Sequence, residues 1–183
     1  ISVQGPMART VEDVSLMLSA IAGPDPRSPI SILESGDIFK QPLDRDFSGT
    51  HIAWSQDLGQ FPVDKRITKT IEKQKKIFES IGCMIVDDQP DFTDADEIFK
   101  IWRAWQFELA YAGLLETHRD QIKDTVVWNI EEGQKLSGSQ IGQAEIKRTK
   151  LYHRIREFMG EIEFLVLPVS QVPPFDIKQR YIT

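Results

Sequence analysis

Apolar residues recur at helical spacing in several stretches of the chain, with short strand-like runs between them. Val11, Val14, Met17, Leu18 and Ile21 share one helical face, Thr10 and Asp13 form a box-like N-cap arrangement ahead of it, and Gly23-Pro24 stops it. From Asp25 to Gly49 prolines, serines and glycines interrupt any period, which predicts a long ordered connection. His51 to Ser55 reads as a strand. Asp64 then caps a helix with Ile67, Ile71, Phe78 and Ile81 on its inner face, Gly82 closes that helix, and Cys83 to Val86 reads as a second strand. Strand, helix and strand within 50–87 is the length of a βαβ unit, so the two strands are expected to be parallel.

The acidic run Asp87, Asp88, Asp91, Asp94, Asp96 and Glu97 precedes Ile98, Phe99, Trp102, Trp105, Gln106 and Leu109, which places negative charge at the positive end of a helix with an aromatic face. Ser137 and Gln140 signal another capped start, followed by a long amphipathic helix through Ile141, Ala144, Leu151, Ile155 and Phe158 to Gly160. Phe164 to Val169 reads as a third buried strand, halted by Pro168 and the later Pro173 and Pro174. The expected fold is α/β: part of a mixed, largely parallel β-sheet flanked by helices. It is read as a single domain over 1–183, made of segments 1–27, 50–87, 92–160 and 164–183.

Composition narrows the class. At 183 residues the chain has the length of one domain, and with 40% apolar and 27% charged residues it is neither disordered nor fibrous. No apolar run approaches the roughly 20 residues that cross a bilayer, so no membrane partner is expected. With 22 basic and 28 acidic residues the formal net charge is −6, which argues against nucleic acid as a partner. The lone Cys83 permits no internal disulfide. That fits a reducing, cytoplasmic setting. The chain starts at Ile1 without a basic-then-apolar leader and reads as a piece of something longer.

No local pattern completes a catalytic set. Ser137-Gly138-Ser139 lacks the G-x-S-x-G surround of a nucleophile elbow and reads as a helix cap. His118-Arg119-Asp120 mimics the opening of a kinase catalytic loop, but Thr125 stands where asparagine is required. The acidic run at 87–97 lacks the glycine and final glutamate of a calcium loop, and His51, His118 and His153 are too scattered for a sequence-local zinc site. Cys83 reads as a buried, inert thiol. The lysines and arginine from Lys65 to Lys76 read as the solvated side of a helix. No metal and no cofactor are expected.

The run Gln4-Gly5-Pro6-Met7-Ala8-Arg9-Thr10-Val11-Glu12-Asp13-Val14, continued to Gly23-Pro24-Asp25-Pro26-Arg27, resembles the segment that closes the core of the amidase signature family. Looser similarity continues through Trp54, the Asp57-Leu58-Gly59 turn, Gly82, Arg148, Leu167-Pro168 and Pro173-Pro174-Phe175. The resemblance implies a parent that hydrolyses non-peptide amides with a serine nucleophile, a second serine in a cis peptide and a lysine. None of the three is carried onto a position here, so the chain alone is expected to be inactive.

What the resemblance does place here is supporting structure. Gly5, Pro6, Arg9 and Asp13 match the part that packs behind the catalytic centre, and Trp102, Trp105 and Phe107 fall where the family shapes its substrate pocket. Arg9 and Asp13 are expected to pair, partly buried. Ser28-Pro29-Ile30-Ser31 favours a stand-alone amidase over a component of a tRNA-dependent amidotransferase. A non-catalytic interaction module is the reading from a different class. A small-molecule amide is the expected substrate of the parent. A homo-oligomer is also expected, because Ile52–Trp54 or Phe164–Leu167 would present an unpaired edge or face.

Overall fold

The computed structural model describes residues 5–59, 61–179 and 182. They form two compact units, Ile1–Asp46 and Phe47–Thr183. The expected segment 1–27 lies in the first unit, and 50–87, 92–160 and 164–183 lie in the second.

In the first unit, helix α1 (Val11–Ile21) begins where the sequence predicts, with Thr10 Oγ1 accepting a hydrogen bond from the Asp13 backbone N–H at 3.1 Å. The connection that follows contains a single 3₁₀ turn, Gly36–Lys40, started by Ser35. The Ser15 hydroxyl donates to the Phe39 carbonyl and ties this turn back to α1.

The second unit is built on β1 (His51–Trp54), α2 (Lys65–Glu72), α3 (Lys75–Ser80), β2 (Met84–Val86), α4 (Ala95–His118), α5 (Asp124–Gln134), α6 (Gly138–Phe158) and β3 (Phe164–Val166). The described strands form one parallel sheet in the order β2-β1-β3, with His51 opposite Met84 and Ile52 opposite Phe164. β1 is therefore paired on both sides. Its residues Ile52, Ala53 and Trp54 are buried, which corrects the expectation of an open edge or face at Ile52–Trp54. Phe164 of β3, on the outer strand, stays 43% exposed.

The core gathers Ile52, Trp54 and Cys83, with Phe47, Ile71, Phe78, Ile85 and Val166 packed around them. Trp54 meets Phe78 edge-to-face at 5.7 Å. Cys83 is the buried thiol its sequence context predicts, just ahead of β2. The helix expected from Asp64 to Gly82 is two helices. At residues 73–74 the backbone stays right-handed but tightens, with Gln74 N–H bonding to Ile71 and Ile77 N–H to Gln74, so the α-helical ladder is interrupted without a sharp bend. Gly82 then reverses the chain at φ +94°, where an added Cβ would meet Ser48 Cα at 2.9 Å.

The helical part of this unit packs α4 against both α5 and α6 around buried Ile98, Ala104, Ile130 and Ala144. Gly133 lets α5 lie directly on the α4 backbone. The capping box expected at α6 is present, with Gln140 N–H on Ser137 Oγ at 3.2 Å and Ser137 N–H on Gln140 Oε1 at 2.9 Å. Much of the acidic run is paired from neighbouring elements. Lys147 of α6 bridges Asp94 and Glu97, Arg154 caps the Asp91 and Thr93 carbonyls, and Lys75 binds Asp87 at 2.6 Å. Among the described residues no group of three or more metal-ligating side chains forms.

Candidate functional site

α4 separates the three aromatic residues expected in a substrate pocket. Trp102 and Trp105 stack edge-to-face at 5.0 Å, and the Arg148 guanidinium of α6 lies over the Trp102 ring at 4.6 Å while donating to Glu145 at 2.8 Å. Phe107 is engaged elsewhere, edge-on to Tyr111 at 5.7 Å and under the Arg103 guanidinium at 5.1 Å. The division follows from helical geometry. Positions 99, 103 and 107 repeat every four residues and lie along one stripe, whereas 102 and 105 lie on another.

The indole N–H of Trp102 and one Glu145 oxygen are buried without a protein partner. A donor and an acceptor left unpaired this way are costly in a purely structural cluster.

A concave feature lies at the C-terminal ends of β1 and β3, a crevice of about 210 Å³ between Asp57, Leu58, Phe61 and Val63 on one side and Leu167, Pro168 and Gln171 on the other. The chain passes from β1 to β2 on one flank and then, through the helices, crosses back past β1 to β3 on the other, so the crevice lies outside the carboxyl ends of two adjacent parallel strands. Open parallel sheets commonly bind ligands at that point. The walls are fixed by Asp64 N–H donating to the Gln171 carbonyl at 2.8 Å and by the Gln171 side-chain amide donating to the Pro62 carbonyl at 2.8 Å. Buried Ser55 holds the loop by accepting Leu58 N–H at 2.8 Å and donating to Gln89 at 2.5 Å. Leu58 adopts φ +55°, a left-handed conformation unusual for a branched side chain. Sequence reasoning singled out Asp57-Leu58-Gly59 and Leu167-Pro168 only as points of likeness; their convergence is decided by strand pairing.

Gly5, Pro6, Arg9 and Asp13 belong to the first unit. Pro6 is half-buried, whereas Gly5, Arg9 and Asp13 are exposed. The expected partly buried pair is corrected: among the described residues Arg9 has no ion pair, and Asp13 is tied through its backbone N–H to Thr10. The reason is geometric, because Arg9 precedes the Thr10 cap, outside the helix, while Asp13 is inside the first turn. Met7 beside them is 93% exposed.

Six of the described serine hydroxyls are occupied in structural roles. Those of Ser15, Ser19, Ser80 and Ser170 donate to backbone carbonyls, and those of Ser55 and Ser137 face amide side chains. None of these six is activated by a lysine or histidine, as nucleophilic catalysis requires. His118 ends α4, and Arg119 pairs with Glu131 at 2.5 Å in the turn that follows, so the kinase-like triplet is a helix terminus.

The resolved charge shifts also have structural causes. The hydrogen-bonded Arg66 guanidinium lowers the Asp64 carboxyl to about 2. Burial pulls Lys75 downward, but its bonds to Asp87 and Glu72 outweigh this and leave it raised. Among the described residues, no helix is long and apolar enough to cross a membrane.

The described residues thus offer pocket walls on an α/β scaffold, and comparison with known proteins shows which family builds that scaffold. An acylamidase of Rhodococcus erythropolis is 29% identical over 179 residues, which is 96% of this chain and 37% of that protein. An amidase of Pseudomonas putida is 24% identical over 92% of this chain and 36% of its own length. The glutamyl-tRNA(Gln) amidotransferase A subunit of Caldanaerobacter subterraneus is 30% identical over 83 residues, 45% of this chain and 17% of that protein. Among solved structures, a bacterial aryl acylamidase of the amidase signature enzymes superposes with a TM-score of 0.78 at 22% identity, over 92% of this chain and 38% of that one, a likeness of fold. The chain therefore spans little more than a third of the length of the acylamidase and amidase it matches. With the Amidase family model matching residues 1–182, the parallel sheet, its helical cover and the Gly5–Arg27 motif have one common explanation: the chain belongs to the Amidase family.

Proposed function

We propose that this chain is part of a serine-dependent amide hydrolase that cleaves the carbon–nitrogen bond of a small non-peptide amide, and that it is inactive by itself. The observation that carries this reading is the extent of the acylamidase match, which covers 96% of the chain. In this reading Trp102, Trp105 and Phe107 contribute apolar surface to the substrate pocket. Gly5, Pro6, Arg9 and Asp13 support the loop and helix start behind the catalytic centre. The nucleophile and base come from the part of the family fold that the chain does not span, and no cofactor takes part.

The surface supports burial against further protein. Accessible area is 13,937 Å², whereas two separately compact pieces of these sizes would expose only about 10,500 Å². Exposed Leu33, Ile177 and Val169, at 85%, 98% and 105%, belong to that excess. Assembly as a homo-oligomer in the cytoplasm, without nucleic acid or membrane, is the arrangement proposed for the whole protein.

The amidotransferase matches favour a second reading, a component of a tRNA-dependent complex, but the first of them covers only 45% of this chain. The test is hydrolysis of an N-acyl aryl amide by the full-length protein and by the 183-residue chain. Activity in the first and none in the second is expected, because loss of nucleophile or base costs many orders of magnitude. Turnover by the isolated chain, or strict dependence of the full-length protein on a charged tRNA, would overturn the proposal.

A further inference from the structure

The groove between α4 and α5 has a different chemistry from the Trp102–Trp105 cluster. It encloses about 650 Å³, within the range of small-molecule sites, and is walled by Phe99, Ala104, Trp128 and Leu136 with Arg103 and Asn129 among them. Phe99 and Trp128 are 59% and 58% exposed, so two large aromatic rings stand open to solvent in a groove also lined by Lys100, Glu132 and the Arg103 cation.

That cation is fixed in place. The Arg103 guanidinium lies between Phe99 at 5.7 Å and Phe107 at 5.1 Å, and its Nε–H donates to the Asn129 carboxamide oxygen at 3.2 Å. Asn129 is 5% exposed and is itself held by donating to the Thr125 carbonyl at 2.6 Å. Neighbouring charges are already paired, Lys100 with Asp96 and Glu132 with Lys135, each at 2.6 Å. Among the described residues Arg103 pairs with no carboxylate. In a chain of net charge −6, an exposed guanidinium that has no carboxylate partner among the described residues and is oriented by Asn129 at the edge of an aromatic groove is a specific feature. Its planar fork matches a carboxylate, and the rings match an aryl or alkyl body.

We infer that the α4–α5 groove binds a small aromatic carboxylate, with Arg103 reading the carboxylate and Phe99 and Trp128 taking up the ring. The inference uses neither the catalytic groups nor the Trp102–Trp105 cluster; of the residues proposed for the amide pocket it shares only Phe107, which here orients Arg103.

The test is calorimetric titration of the full chain with 3-phenylpropionate and, separately, with 3-phenylpropionamide, its neutral counterpart. One-to-one saturable binding of the acid is expected, with the amide at least tenfold weaker. Arg103→Met should bring the acid down to the level of the amide, Arg103→Lys should recover part of the difference, and Trp128→Ala should weaken both ligands. Equal affinity of acid and amide for the unsubstituted chain overturns the inference without any variant having to fold. So does absence of saturation at millimolar acid, or binding unaltered in both folded Arg103→Met and folded Trp128→Ala.

Discussion

Gly133 provides a quantitative test of how α4 and α5 are joined. It is buried in the last turn of α5, and a Cβ built on it would lie 2.3 Å from the Ala104 carbonyl oxygen and 2.5 Å from Glu108 Cβ. Ordinary contacts begin near 3.4 Å, so Gly133→Ala requires α5 to retreat from α4 by roughly 1 Å. Overpacking of that kind costs about 1–3 kcal/mol. The same shift stretches the Arg103–Asn129 hydrogen bond one turn away, adding about 1 kcal/mol. Replacing a helical glycine by alanine returns about 1 kcal/mol of propensity.

The expected net loss is therefore about 1–3 kcal/mol, read as a fall in Tm of roughly 3–10 °C for a chain of this size. Gly142, in the interior of α6, provides the control: nothing lies within 4 Å of its built Cβ, so Gly142→Ala should raise stability by about 0.5–1 kcal/mol. Thermal and urea unfolding of the two variants side by side separates packing from propensity. A Gly133→Ala protein as stable as the unsubstituted chain would refute the close helix contact.

Other perturbations read different parts of the structure. Ile130→Ala removes a side chain with 0% exposure and should cost about 2–5 kcal/mol in urea unfolding, a loss below 1 kcal/mol being inconsistent with its core position. Ser137→Ala breaks the capping box at α6 and should cost about 0.5–2 kcal/mol, with Ser137→Asp largely preserving stability. The Asp64 carboxyl is lowered to about 2 in the fold, against about 3.9 in an unfolded chain. Its contribution is thus fully present above pH 4 and is lost as pH falls toward 2, so the Tm difference between the native chain and Asp64→Asn should shrink across that window. A difference constant from pH 6 to 2 would show that the Arg66 pair is not the cause. Arg9→Met should change stability by less than about 1 kcal/mol, because Arg9 is exposed and has no ion pair among the described residues; a loss of several kcal/mol would restore the buried pair.

Local signals in the sequence determined most of the elements. Thr10, Asp64 and Ser137 marked helix starts because a short polar side chain satisfies backbone donors wherever it precedes a helix, independent of distant structure. The apolar runs at His51–Ser55 and Cys83–Val86, separated by the length of one crossover, determined a parallel pair for the same reason: chain length and handedness constrain it. Likeness to the amidase signature family was also legible, since it resides in an ordered string of residues.

Only tertiary structure decided what those elements face. That β1 is central and β3 its second neighbour depends on pairing across more than 100 residues, which no local pattern encodes. The crevice joining Asp57 to Leu167 exists only through that pairing. Trp102 and Trp105 parted from Phe107 because α5 and α6 claim different stripes of α4, and sequence spacing shows that stripes differ without showing which neighbour covers each. Arg9 and Asp13 remained apart for the converse reason. Four residues bring side chains together only inside a helix, and the N-cap at Thr10 leaves Arg9 outside it.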